Sequence, residues 1–203
     1  MPEPIFTVAN QLTMLRMALV PAFVLLALGR EFTWALVVFA VAGATDALDG
    51  YVARHSGQIT RLGAMLDPIA DKLLTGSAYV LLTWGGVAAC ALPVWLTVTL
   101  LFRDSMLLVG VLVVNLTLGP VEFPPSRLGK ASAALNVLTG AAVLAANAMG
   151  ECPPAMRWLY LLTVGMLIAT TVHYIYLASE RPRSAQGGRG GAAAERPPDG
   201  PFV

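Results

Sequence analysis

The sequence predicts an all-α integral membrane protein, with six transmembrane helices and a short N-terminal interfacial segment. Three observations carry that reading. The 203 residues are 57% hydrophobic and only 12% charged, with a mean hydropathy of +0.70; a soluble domain carries about 25% charged residues. Apolar stretches close to the ~20 residues that cross a bilayer recur six times. Helix breakers or charges separate them.

The first span covers Leu12–Leu28 and ends at Gly29-Arg30-Glu31. The second covers Trp34–Asp49, and the third covers Met65–Trp84 and closes at Gly85-Gly86. The fourth, Leu92–Val114, is divided from the fifth, Ala131–Ala148, by Gly119-Pro120 and Pro124-Pro125. Gly150 and Pro153-Pro154 precede the sixth, Trp158–Leu177. Ahead of the first span, Ile5, Phe6 and Val8 within Met1–Asn10 suit a brief amphipathic segment lying in the interface. Residues 1–178 therefore read as one membrane domain. Residues 179–203, rich in Gly, Pro and Arg, read as a disordered cytoplasmic tail whose arginines either touch anionic lipid or are simply solvated. The start, Met-Pro-Glu-Pro, lacks the basic region of a cleavable signal peptide. There is no internal repeat.

Basic residues orient the spans. Arg54, Arg61, Arg127, Lys130, Arg181 and Arg183 fall on one side, against Arg30 and Arg157 on the other. The positive-inside rule then puts both termini on the cytoplasmic side of the cytoplasmic (inner) membrane. Trp34, Trp84, Trp95 and Trp158 gather near the outer ends, as an aromatic belt does. Cys90 and Cys152 fall in two loops on that outer side; a disulfide is geometrically allowed, and two unpaired thiols are the plainer expectation. No CxxC or HExxH pattern suggests zinc. A net charge of +1 gives no ground for a nucleic-acid partner.

Against this apolar background stand Asp46, Asp49, Asp67 and Asp71. Ionisable groups at membrane depth are costly and mark function. The first pair is spaced i,i+3 and the second i,i+4, so on helices each pair shares one face. Two such helices joined by a short turn aim four carboxylates at one place. Mg²⁺ or Mn²⁺, which prefer oxygen ligands, are the natural compensation.

The run Asp46-x-x-Asp49-Gly50-x-x-Ala53-Arg54, eight residues, then Gly63-x-x-x-Asp67-x-x-x-Asp71 resembles the signature of the CDP-alcohol phosphatidyltransferase family at every fixed position. The resemblance extends from Ala9 to about Leu177. It implies transfer of a phosphatidyl group from CDP-diacylglycerol to an alcohol, with release of CMP, by a homodimer using two metal ions. It further implies that Asp46, Asp49 and Asp67 hold metal, and that Asp71 both completes the second metal site and is the general base. Gly50, Ala53 and Gly63, which lack bulk, leave room for the cytidine nucleotide; plain helix packing is the alternative. Arg54 then meets donor phosphate or anchors at the interface, and Thr60 bonds the nucleotide. Asn10 and Thr13 resemble a polar pair lining the nucleotide pocket, although the same residues make good helix N-caps. Arg16 either snorkels or faces the cavity.

The resemblance fixes the donor and not the alcohol. Arg103, Arg127 and Lys130 can cradle an anionic acceptor; a structural Arg103–Asp104 ion pair and ordinary positive-inside charge are the plainer readings. Phe-Arg103-Asp104-Ser is more similar to members that make cardiolipin from phosphatidylglycerol. The segment Ser126-Arg127-Leu-Gly-Lys130 lacks the second lysine of members that use glycerol 3-phosphate. Phosphatidylglycerol is therefore the expected acceptor, with glycerol 3-phosphate and an inositol phosphate as alternatives. A metal-binding scaffold or transporter is the rival from another class. His55 is expected in a solvated loop, and His173 as a packing histidine.

Overall fold

A computed structural model describes residues 8–56, 61–84, 86–118 and 126–191; for 8–10, 12, 46–56, 61–68, 111, 112, 114, 115, 117, 118 and 177–191 it describes the backbone alone. Among these residues the chain is entirely helical: α1 (Val8–Leu28), α2 (Phe32–Ser56), α3 (Arg61–Thr83), α4 (Val94–Leu118), α5 (Arg127–Met149) and α6 (Met156–Gly191). The cores of all six helices coincide with the expected apolar stretches, and most helices run further at their ends. Arg54 and His55 therefore lie in the last turns of α2 rather than in a loop. Residues 1–7 of the expected interfacial segment lie outside the described residues, and Val8–Asn10 already belong to α1.

The sixth helix departs most from expectation. Its backbone stays helical to Gly191, past the expected end at Leu177 and into the segment expected to be a disordered tail. Ala178, Glu180, Arg181 and Gln186 are good helix formers, and low hydrophobicity alone does not end a helix. The chain divides at Leu167 into two compact units, Met1–Leu167 and Ile168–Val203. In the second unit, the His173 and Tyr174 rings lie 6.3 Å apart.

In the first unit, α1 packs on α2 and α3, and α5 packs on the same two helices, so these four enclose one interior. α4 lies against α3. The interior face has a period of three and four. Thr13, Arg16, Phe23 and Ala27 supply it on α1; Ala35, Phe39 and Ala42 supply it on α2. On α5, Ser132, Asn136, Thr139, Gly140, Val143 and Asn147 are buried. Gly140 marks the tightest point: a Cβ there would lie 3.3 Å from Phe39 Cζ and 3.7 Å from Tyr79 Cε2. Phe23 stacks on Phe39 with centroids 5.8 Å apart. Aromatic rings from three helices thus fill mid-bundle.

The exterior is apolar. Leu25, Val37, Val41, Leu73, Val98, Phe102, Leu138 and Leu162 are all exposed, while arginine, aspartate, asparagine and threonine are buried. A soluble protein shows the reverse. Arg127–Met149 and Met156–Tyr176 are long and apolar enough to cross a membrane, and Thr13–Leu28 and Phe32–Thr45 are shorter apolar helices. Trp34, Trp84, Trp95 and Trp158 are all exposed at the end of the bundle where α2, α4 and α6 begin.

That end is also stapled. Cys90 and Cys152 are joined in a disulfide, with Cα atoms 5.0 Å apart, where the sequence favoured free thiols. Asn147 explains how the loop reaches. Its Oδ1 accepts from Cys90 N at 2.9 Å, while its Nδ2 donates to Cys90 O at 2.9 Å and Val143 O at 2.8 Å. Arg30, held at φ 61°, donates from Nη2 to Gly86 O at 2.6 Å. Helix α5 closes on Gly150, whose φ of 72° suits a left-handed cap. The bridge closes a loop of 62 residues, so Cys90→Ser should lower stability by about 2–4 kcal/mol. Thermal unfolding in detergent, compared with Cys152→Ser and the double variant, checks this; the three should agree, because each breaks the same bond.

Candidate active site

The acidic run occupies the opposite end of the bundle, where α2 finishes and α3 begins. On α2 the buried positions 35, 39 and 42 continue at spacings of four and three to 46 and 49. The register that buries Phe39 therefore carries Asp46 and Asp49 along the interior face. On α3, positions 67, 71, 75 and 79 follow one another at i,i+4, and Thr75 and Tyr79 are buried. Each aspartate pair thus continues the register of its own helix, at the end of α2 and the start of α3, beyond the level of the aromatic filling.

Of the four, only Asp71 has a described side chain. It is 39% exposed, with Oδ2 3.8 Å from Lys72 Nζ. Asp46, Asp49, Gly50, Ala53, Arg54, Gly63 and Asp67 are described by backbone only, and Thr60 lies outside the described residues. No group of three ligating side chains occurs among the described residues. The test of fit therefore rests on donor chemistry: four carboxylate positions, with neither imidazole nor thiolate on the same stripes. Such a set suits a hard divalent cation.

Asn10 and Thr13 are inside α1, not at its cap, so their N-cap reading is set aside. Thr13 is fully buried and Arg16 is 1% exposed, which places Arg16 inside the bundle rather than snorkelling. The residues expected to cradle the acceptor, Arg103, Arg127 and Lys130, stand on two helices, α4 and α5. Arg127 and Lys130 are exposed. Lys130 stands about 200° of helical rotation from Ser132, and Arg127 about 140°, so α5 turns both away from its buried face. Arg103 is buried against α3, on α4, and its Nη1 lies 2.8 Å from Asp104 Oδ1.

Lys72 is the residue that sequence reasoning missed. Its Nζ lies 2.8 Å from Asp104 Oδ2 while staying near Asp71. Asp104 thus takes a cation on each oxygen and ties α4 to the acidic end of α3. The signal was present in the sequence: a buried Arg-Asp pair leaves carboxylate capacity for a second cation, and Lys72 is the lysine of the third span. Ser132 and Asn136 also went unremarked, as small polar residues in an apolar helix.

An apolar-skinned helical bundle that gathers carboxylates at one end of its interior has the build of a membrane enzyme acting at the bilayer surface. The comparisons make this specific. The chain belongs to the CDP-alcohol phosphatidyltransferase family, whose model matches residues 6–181, a family of membrane enzymes with apolar helices. It is similar to the cardiolipin synthase (CMP-forming) of Streptomyces coelicolor, with 46% identity over 115 residues, or 54% of this chain and 52% of that protein. A putative cardiolipin synthase of Mycobacterium bovis is 33% identical over 174 residues, covering 85% and 78%. A probable phosphatidylglycerophosphate synthase of Mycobacterium tuberculosis is 45% identical over 109 residues, covering 49% of each. The chain spans about half the length of several curated relatives that it matches.

The ion triad makes an asymmetric prediction. Asp104→Asn strands the buried Arg103 charge and should destabilise the bundle by about 3–5 kcal/mol. Lys72→Met removes a partner that is 32% exposed, so its loss should stay below about 1 kcal/mol. Unfolding midpoints in detergent distinguish them, and equal losses would contradict the assignment of Arg103 as the dependent partner.

Proposed function

We propose that this chain transfers the phosphatidyl group of CDP-diacylglycerol to a hydroxyl of phosphatidylglycerol, giving cardiolipin and CMP. What supports the proposal most is the placement of the four aspartate positions where α2 finishes and α3 begins, at one end of a bundle with an apolar exterior. The family supplies the donor chemistry, and the cardiolipin synthases among the relatives favour the acceptor. One relative supports a second reading, in which glycerol 3-phosphate is the acceptor.

Asp46, Asp49 and Asp67, with Asp71, would hold two divalent cations, Mg²⁺ or Mn²⁺, which neutralise the pyrophosphate charge when bound. The chain's own groups do the rest. Asn10, Thr13, Thr60 and Arg54 orient the nucleotide and its phosphates, and Gly50, Ala53 and Gly63 leave it space. Asp71 takes the proton of the acceptor hydroxyl as that oxygen bonds to the β-phosphorus. The bond from phosphorus to the CMP oxygen breaks, and CMP carries away the electron pair. Lys72, steadied by Asp104, keeps a positive charge beside Asp71. Arg127 and Lys130 fit a surface role among lipid phosphates better than an interior one.

We further propose six membrane crossings, a homodimer, and an acidic end that faces the cytoplasm. Basic residues cluster near that end, and the disulfide at the other end belongs in an oxidising compartment.

Purified protein should release CMP from CDP-diacylglycerol with phosphatidylglycerol, stop with excess EDTA and recover with Mg²⁺ or Mn²⁺. Undiminished turnover in EDTA would remove the metal from the reading. Asp71→Asn, which keeps shape and removes basicity, should lower kcat by about 10²–10⁴-fold while CDP-diacylglycerol still binds. A variant within twofold of wild type would assign the proton to another group.

A further inference from the structure

Among the described residues, most uncharged buried polar side chains are satisfied locally, while some guanidinium N–H groups of Arg16 and Arg103 are buried without a hydrogen bond. Thr83, Thr139 and Thr163 each donate to the carbonyl four residues back. Thr139 Oγ1 and Thr163 Oγ1 lie 2.8 Å apart, so one of them can instead give its proton to the other. Asn147 uses both ends of its amide. Two residues on the interior face of α5 break the pattern. Ser132 is fully buried and Asn136 is 4% exposed, yet Ser132 Oγ and Asn136 Oδ1 have no hydrogen-bond partner. They stand at i,i+4 and so share a face. A polar atom desolvated without a partner costs about 1–3 kcal/mol, which a membrane helix normally avoids by bonding its serine to the preceding turn.

The register locates the pair. Tyr79 Oη donates to Asn136 O at 3.0 Å, so α5 and α3 are aligned there. Both helices run away from the acidic end. Helical side chains lean toward the N-terminus, so the Tyr79 ring already reaches back along α3. Ser132 lies about 6 Å nearer the acidic end than Asn136, which brings it level with the turn of α3 from Asp71 to Thr75. On the other side, α5 faces α2 and α3 across from α1, the helix that carries Thr13 and Arg16. The two orphaned atoms therefore lie, along the bundle, between the level of the aromatic filling and the turns that carry the aspartates.

The chemistry of the two atoms selects the ligand. A carboxamide oxygen only accepts, and a serine hydroxyl both donates and accepts. Neither carries charge, and α5 turns Arg127 and Lys130 away from this face. A buried cation of this interior, Arg16, stands on α1; on α5 itself a polyol offers hydroxyl donors to Asn136 Oδ1 and either partner to Ser132 Oγ. We infer that Ser132 and Asn136 form a hydroxyl-binding subsite for the glycerol headgroup of the acceptor. Polyol hydroxyls come from two sources, the acceptor's glycerol and the ribose of the donor; the wall opposite α1 favours the acceptor. This inference rests on the transferase reading and sharpens it, because it explains how the chain holds a glycerol that bears no terminal phosphate.

The test separates the subsite from that reading. Wild type is assayed first, for CMP release with phosphatidylglycerol and with glycerol 3-phosphate. Turnover of glycerol 3-phosphate alone would defeat the acceptor assignment by itself, and the variants then report on that glycerol acceptor instead. Ser132→Ala and Asn136→Ala should each raise KM for the acceptor by about 3–12-fold, the worth of one neutral hydrogen bond. KM for CDP-diacylglycerol should hold within twofold. A rise in the donor KM instead would assign the atoms to ribose and overturn the proposal. No change in either KM would mean that buried water satisfies them, and would overturn it too. A wild-type measurement guards against a misfolded variant: phosphatidyl-1,3-propanediol, which lacks the central headgroup hydroxyl, should fall about 3–12-fold in kcat/KM. Equal turnover of the two acceptors would also sink the subsite. In Ser132→Ala or Asn136→Ala, whichever normally bonds that hydroxyl, the penalty for the missing hydroxyl should shrink.

Discussion

Water is the missing solvent in this molecule, and the distribution of its polar groups follows from that. A carboxylate or guanidinium facing hydrocarbon is costly, so every such group must turn inward, pair, or sit at an end. The bundle obeys by turning apolar side chains such as Leu25, Val37, Leu73 and Phe102 outward as well as inward, while Thr13, Arg16, Arg103, Asp104, Ser132 and Asn136 are inside. Helix packing cannot then rely on burying apolar surface, because lipid is as apolar as leucine. Close approach and internal hydrogen bonds take over, as where Gly140 admits the Phe39 and Tyr79 rings and where Asn147 holds the Cys90 loop.

The interior is divided along its length by the same constraint. Toward the disulfide end it is closed by Phe23, Phe39, Tyr79, Val143 and Leu144, leaving hydroxyls that bond their own helices. Toward the acidic end it becomes polar. The change occurs within about two turns, between Phe39 and Asp46 on α2 and between Tyr79 and Asp71 on α3. Chemistry on a membrane-borne substrate needs this arrangement: an apolar body to stay in the bilayer and a polar chamber at its surface. The Arg103–Asp104–Lys72 triad supports that chamber from outside, since it fastens α4 to α3 beside Asp71.

The sequence alone determined the element count, the cores of the helices though not all of their ends, the end of the bundle that carries the aspartates, and the family. Each of these depends on local composition or on fixed spacing, and neither needs a fold to be read. The helices that carry the aspartates were legible for the same reason, because helical period is a local property. What depends on rotation about a helix axis, or on which helix neighbours which, was decided only by tertiary structure. Arg127 and Lys130 sat near the acidic end in sequence, and the turn of α5 points them outward. Arg103 looked available for a substrate until α4 packed on α3 and gave Asp104 a second cation in Lys72. Cys90 and Cys152 met because Asn147 drew one loop toward the other helix end. Ser132 and Asn136 carry no sequence signal, because a partnerless polar atom is defined by everything that surrounds it.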